Sequence, residues 1–161
     1  MNPNILSSES SIFITFLASF LIWFMFGGLV FLWIIDGRIK KELVLHALLA
    51  TLVSWVAAQM FKGLLPVTRP FELNGLIPLT ITIPASNSFP STHSAVAFAG
   101  AASIWLHNKK LGQKFIILAV FVALGRVLSN VHSVLDVLAG GLLGVVSAYI
   151  IEKLHLYKLL D

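Results

Sequence analysis

Among the polar side chains inside or beside the apolar runs of this sequence, seven could do chemistry together: Lys62, Arg69, Ser91, His93, Arg126, His132 and Asp136. Three permanent cations and a serine that opens a helix make an anion site, because the helix dipole and its free backbone N–H groups add to their charge. Two histidines, one followed four residues later by a carboxylate, offer a nucleophile and a proton donor. Such a set suits a phosphate ester or diphosphate, whose transfer builds charge on equatorial oxygens that fixed cations stabilise. The four-residue spacing of His132 and Asp136 puts them about 40° apart on one helix face, within hydrogen-bond reach. Arg126, six residues earlier, would face away on an unbroken helix, and Ser129-Asn130 supply the break that lets it come from a separate one.

Taken singly, each residue also has a structural reading. Lys62 could anchor a helix end at the interface, Ser91 after Pro90 could be an ordinary N-cap, and either histidine could be a satisfied polar group between helices. Arg126 resists this, because it interrupts an apolar run, and an ionised side chain within a span costs about 2.5–3.5 kcal/mol on insertion scales. Metal-assisted hydrolysis fits poorly: it usually wants several carboxylates, and the face that carries these residues offers only Glu9, Glu72 and Asp136.

The elements that must position these groups are membrane helices. Of 161 residues, 58% are hydrophobic and 11% charged, whereas a soluble domain carries about 25% charged residues. A soluble fold is therefore excluded. With no cysteine, disulfides, thiolate metal sites and cysteine nucleophiles are excluded as well. Residues 10–35 hold no charge and exceed the roughly 20 residues that cross a bilayer. Because residues 1–11 lack Lys and Arg and the run is long, it is expected to be a retained helix and not a signal peptide. A polar hinge, 36–42, precedes a second span at 43–61. Five prolines between 63 and 90 rule out a helix there and predict a long re-entrant or interfacial loop. Residues 91–107 form a third span, the turn 108–112 follows, and 113 to about 128 and 132 to about 151 complete five. Ala95 and Ala99, Ala97 and Ala101, and Gly140 and Gly144 stand at the spacing that lets helices approach closely in lipid.

Charge sets the orientation. The hinges and tail hold Arg38, Lys40, Lys41, Lys109, Lys110, Lys114, Lys153 and Lys158, against Lys62, Arg69 and Arg126 on the other side. Positive residues stay inside. The N-terminus, the loop between helices two and three and the polar cluster are thus expected outside the cytoplasmic (inner) membrane, with the C-terminus in the cytoplasm.

At these residues the sequence resembles the type 2 phosphatidic acid phosphatase superfamily of membrane lipid phosphatases, whose motifs read K-x6-R-P, P-S-x-H and S-R-x5-H-x3-D. Here they appear as Lys62…Arg69-Pro70, Pro90-Ser91-Thr92-His93 and Arg126…His132…Asp136. The resemblance spans about residues 55–150 of one membrane-embedded domain, 1–161. It implies that Lys62, Arg69, Ser91 and Arg126 hold the phosphoryl oxygens and that His132 attacks phosphorus to form a phosphohistidine. Asp136 would orient His132, His93 would protonate the leaving oxygen, and no metal or other cofactor is required. Two positions depart from the pattern: Gly125 stands where Ser is usual, and Thr92 where Gly is frequent. Many members also carry six spans.

The expectation is an all-α, five-span lipid phosphatase whose partners are a lipid phosphate and the bilayer, with no nucleic acid. Undecaprenyl diphosphate is the first substrate to consider, by association with the family. Phosphatidylglycerol phosphate, phosphatidic acid and lipid A phosphates stay open. So do a lipid phosphotransferase of the same family and a non-catalytic membrane protein, such as a transporter or scaffold, that binds anionic head groups.

Overall fold

In lipid every backbone N–H and C=O must find a partner within the chain, so long apolar runs become helices. The computed structural model describes residues 8–35 and 38–154, and among them it holds seven helices and no strand. These are α1 (Ser8–Ser19), α2 (Leu21–Ile34), α3 (Arg38–Leu64), α4 (Pro70–Asn74), α5 (Thr92–His107), α6 (Lys109–Leu128) and α7 (Val134–Leu154). Three of them, α3, α6 and α7, are long and apolar enough to cross a membrane, and α1 with α2 make a fourth if the bent pair is one span. The N-terminal segment 1–7, Asp36 and Gly37 of the hinge, and Lys158 in the tail lie outside the described residues.

At 16 residues α5 falls short of the usual span length, for a reason visible in its surroundings. It is the central helix, packed against α3, α6 and α7. Its partner faces are lined by Ala and Gly where a lipid-facing helix would carry Leu and Phe. The expected small-residue spacing operates here: a Cβ on Gly144 would lie 2.3 Å from the Ala95 carbonyl oxygen and 2.7 Å from Ala99 N, and one on Gly140 would lie 2.4 Å from the Ser91 oxygen. Outward positions are apolar, among them Trp23, Phe24, Phe31, Leu135, Leu138 and Leu142. The buried interior is where Lys62, Arg69, Arg126, His132 and Asp136 lie.

Several expected boundaries shift. The run 10–35 is not one straight helix: α1 and α2 meet at 48° around Phe20, where no Pro or Gly stands. Arg126 Nη1 donates to the Ala18 carbonyl at 3.0 Å, and a side chain that takes a carbonyl from the helical ladder is a recognised cause of such a bend. The expected turn 108–112 shrinks to Asn108 alone, whose side chain accepts from Leu111 N and caps α6. Gly112 permits this tight corner, since a Cβ there would meet Trp105 Cα at 2.3 Å. The long loop carries the short helix α4, begun by Pro70 and ended by Gly75 at φ 69°.

The last correction touches the chemistry. His132 does not open the final helix. It lies ahead of a capping box in which Ser133 N donates to Asp136 Oδ2 (2.7 Å) and Asp136 N donates to Ser133 Oγ (3.2 Å). His132 and Asp136 therefore meet across a helix start, not along one helix face.

Candidate active site

The site gathers where α3 and α6 end and α5 and α7 begin. Proline density makes the chain leave α3 as a loop, and that loop folds back over the helix ends. Lys62, in the last turn of α3, donates to the carbonyls of Asn87 (2.6 Å) and Ser88 (3.2 Å), and Asn87 Nδ2 donates back to the Lys62 carbonyl (2.7 Å). It is 6% exposed, so it is no snorkelling anchor. Arg69, beside α4, donates through Nε to the Ser86 carbonyl (2.8 Å), through Nη2 to the Asn87 carbonyl (3.2 Å) and through Nη1 to the Val131 carbonyl (3.0 Å). The same Nη1 lies 3.3 Å from His132 Nε2.

The loop is fastened to the α6–α7 turn. Asn74 and Asn130 exchange side-chain amide hydrogen bonds at 2.9 and 3.0 Å, and Phe71 N and Leu79 N donate to the carbonyls of Asn130 and Ser129. Asn130 adopts φ 63°, a left-handed conformation that Asn tolerates better than most residues. This turn is the break expected between Arg126 and His132.

Hydrogen-bond directions fix the state of the His132 ring. A guanidinium only donates, so Nε2 accepts from Arg69 and the proton of the neutral ring belongs on Nδ1. Nδ1 faces Ser88 Oγ at 3.3 Å and Asp136 Oδ2 at 3.5 Å, while the Ser88 hydroxyl donates to Asp136 Oδ2 at 2.6 Å. Ser88 thus bridges ring and carboxylate more closely than they approach each other. Burial, opposed by the Asp136 contact, pushes the His132 ring down to about 4, so the ring is neutral and its Nε2 lone pair is present at neutral pH.

Ser91 caps α5, accepting from Ser94 N at 3.5 Å and from the Ser94 hydroxyl at 3.2 Å. Its own proton is uncommitted by these bonds, so the N-cap reading and a phosphate contact are compatible. Arg126, in the last turn of α6, is 5% exposed and anchored to α1 through Ala18. His93 stands in the first turn of α5, and the charges of Arg126, His132, Lys62 and Arg69 all act on it. The seven residues named from the sequence therefore share one end of the bundle. His93 also lines an apolar cleft of about 370 Å³ with Thr92 and Val96 of α5, Ile22, Trp23 and Phe26 of α2, and Thr51, Leu52 and Trp55 of α3.

Sequence reasoning missed Ser88, Ala18 and the carbonyls of Ser86 and Asn87. The polar triplet 86–88 in an apolar loop was the available signal, but its spacing matches no helix or strand.

The charge inventory is lopsided. Lys62, Arg69 and Arg126 are buried, and Asp136 is the single buried carboxylate among the described residues. The arrangement can hold an anion of more than one charge and present an imidazole nitrogen to it.

The family model described as the PAP2 superfamily matches residues 43–159. The chain belongs to the PAP2 superfamily. It is 35% identical over 133 residues to a Bacillus licheniformis protein named bacitracin transport permease protein BcrC, covering 83% of this chain and 66% of that one. It is 32% identical over 108 residues to an undecaprenyl-diphosphatase of Sulfolobus acidocaldarius, covering 65% of this chain and 51% of that one. The chain thus spans about half to two thirds of the length of these curated relatives. Among solved structures, Aquifex aeolicus LpxE superposes with a TM-score of 0.76 at 28% identity, over 94% of this chain and 90% of that one. A PAP2-type phosphatidylglycerolphosphate phosphatase from Bacillus subtilis shares the fold, with a TM-score of 0.62 at 24% identity over 94% and 79% of the two chains.

Proposed function

We propose that this PAP2 protein is a membrane lipid phosphatase that hydrolyses a lipid diphosphate or phosphate monoester through His132, with undecaprenyl diphosphate as the first substrate to test. The observation that carries the reading is the buried excess of positive charge, Lys62, Arg69 and Arg126 against Asp136, around a neutral imidazole. Buried charges are costly unless compensated, and a polyanionic head group compensates these. The name of the Sulfolobus relative favours the diphosphate.

In this mechanism phosphoryl oxygens take the donors of Lys62, Arg69, Arg126 and Ser91. Arg69 Nη1 transfers its hydrogen bond from His132 Nε2 to a phosphoryl oxygen, which frees the lone pair. Nε2 attacks phosphorus, the bond to the leaving oxygen breaks, and His93, which takes up a proton once the negative head group offsets the cations around it, donates that proton to the leaving oxygen. The imidazolium that forms is stabilised by Asp136 through Ser88. Water then cleaves the P–N bond and releases phosphate. The lipid tail extends from the head group into the cleft beside His93, whose volume is ordinary for a ligand pocket; the rest of a long tail stays in the bilayer.

The membrane arrangement that suits this reaction has five spans, with α1–α2 as one bent span and α5 as a short one enclosed by the others. The site then lies at the outer face of the cytoplasmic membrane, and the C-terminal end of α7 is cytoplasmic, as the placement of Lys and Arg favours.

A second reading, movement of a head-group-bearing compound without hydrolysis, draws on the transport name of the Bacillus licheniformis relative. Phosphate release from the purified protein decides between them. With a panel of lipid phosphates and chelator present, the phosphatase reading expects release, greatest from the preferred substrate. Release only after divalent metal is added would contradict the histidine chemistry, release that appears only as transfer to a second lipid would mark a phosphotransferase, and no release from any lipid would favour transport or a scaffold.

A further inference from the structure

At the end of the bundle opposite His132, four titratable side chains from three helices meet. Glu42 and His46 are one turn apart near the start of α3, His107 is the last residue of α5, and Glu152 stands near the end of α7. Ligand atoms of Glu42, His46 and His107 all lie within 4.8 Å of one another. The two imidazole rings are 4.8 Å apart, and Glu152 Oε2 is 3.5 Å from His107 Nε2. Nothing in the proposed phosphatase chemistry uses these residues.

The ring orientations add an independent observation. His46 Nδ1 faces the Glu42 carbonyl at 3.2 Å, and His107 Nδ1 faces the Ser103 carbonyl at 2.9 Å. A carbonyl only accepts, so each ring carries a proton on Nδ1, and Nε2 is the atom that would ligate. Donation of one ring N–H to a backbone carbonyl is how ligating histidines are ordinarily oriented. Two imidazoles and two carboxylates gathered in a half-buried space are a donor set of the kind that holds a divalent cation.

We propose that Glu42, His46, His107 and Glu152 bind a divalent ion of the zinc type, which ties α3, α5 and α7 together at the end remote from the phosphate site. Two imidazole nitrogens and two carboxylate oxygens are a donor set that zinc accepts in tetrahedral geometry, with ligand atoms about 3.3 Å apart. The spacing among Glu42, His46 and His107, up to 4.8 Å, closes by small side-chain rotations, to which the partly buried glutamates are free to contribute most. The ion is structural, since it lies a whole helix length from His132.

Tag-free, full-length protein in detergent, stripped with chelator, is titrated with Zn²⁺ against a chromophoric competitor while its melting temperature is followed. One zinc per chain and a rise in melting temperature are expected. Glu42→Gln and His107→Gln should each weaken binding roughly tenfold or more, whereas His93→Gln, at the other end, binds as the unaltered protein does. His107 is partly exposed, so its variant leaves no cavity and keeps the test open if His46→Gln does not fold. Stripping the metal lowers the melting temperature and leaves turnover at 25 °C in place. The absence of saturable zinc uptake, or equal binding by His107→Gln and the unaltered protein, would overturn the proposal.

Discussion

Arg126 on α6 donates to the carbonyl of Ala18 on α1 at 3.0 Å, across 108 residues of sequence. Gly125 makes the contact possible: a Cβ there would lie 2.7 Å from Leu17 C and 2.8 Å from Ala18 N. The departure from the usual Ser at this position is thus a packing requirement of α1. Gly125→Ser should force the two helices apart, at a cost of about 1–3 kcal/mol typical of overpacking. It should also loosen the Arg126 guanidinium. The expected result is a lower melting temperature together with a reduced kcat/KM for phosphate release, measured on the same preparation.

Ser88 joins the His132 ring to the Asp136 carboxylate. A hydrogen bond to a charged group contributes about 1.5–3 kcal/mol, so Ser88→Ala should lower kcat by roughly ten- to a hundredfold. KM should change little, because Ser88 holds the nucleophile and not the head group. Ser88→Thr, which keeps the hydroxyl, should recover part of the loss. A fall in melting temperature without a change in kcat would mean that the serine only supports the loop.

Gly144 faces the Ala95 carbonyl across the α5–α7 contact with no room for a methyl group. Gly144→Ala should therefore separate the two helices whose N-terminal ends carry His93 and Asp136. Thermal unfolding in detergent should fall by an amount equivalent to about 1–3 kcal/mol, and activity at low temperature should fall with it. The equivalent change at Gly63, where a Cβ meets nothing within 4 Å, should leave both nearly unchanged.

Much of this was legible in advance, and what was not has physical causes. The seven polar residues could be named because ions are costly inside apolar runs, and the bundle brings them to one end as an up-and-down topology requires. The bend at Phe20 was not legible, because its cause is a guanidinium more than a hundred residues away and not a local Pro or Gly. The expectation that His132 opens the last helix with Asp136 on the same face fails at the helix start, which falls after His132. The Ser133-x-x-Asp136 capping box was present in the sequence and outweighs that periodicity. Ser88 was invisible because a loop serine finds its partner only through the path of the loop, which depends on Asn74, Asn130 and Arg69.

The acid limit of the reaction follows from His132. Its ring is held down to about 4 by burial, against about 6.5 for an unperturbed histidine. Between those values the folded ring stays neutral while an unfolded one takes up a proton. Folding stability should therefore decline as pH falls from about 6.5 toward 4, whereas the nucleophile itself is lost only below about 4. Ring chemical shifts from histidine-labelled protein, with His132→Gln used to assign the resonance, should show no titration of His132 between pH 7 and 5. A midpoint near 6.5 would show that the ring is solvated, and would remove the basis for this limit.

The covalent step is open to direct observation. Protein mixed with a lipid diphosphate carrying radiolabelled terminal phosphate, and quenched in alkali after a few turnovers, should retain label on the chain. That label should be stable to base, released by acid, and absent from His132→Gln although this variant still binds the lipid. Label retained by His132→Gln, or phosphate released by that variant at the rate of the unaltered protein, would contradict nucleophilic attack by His132.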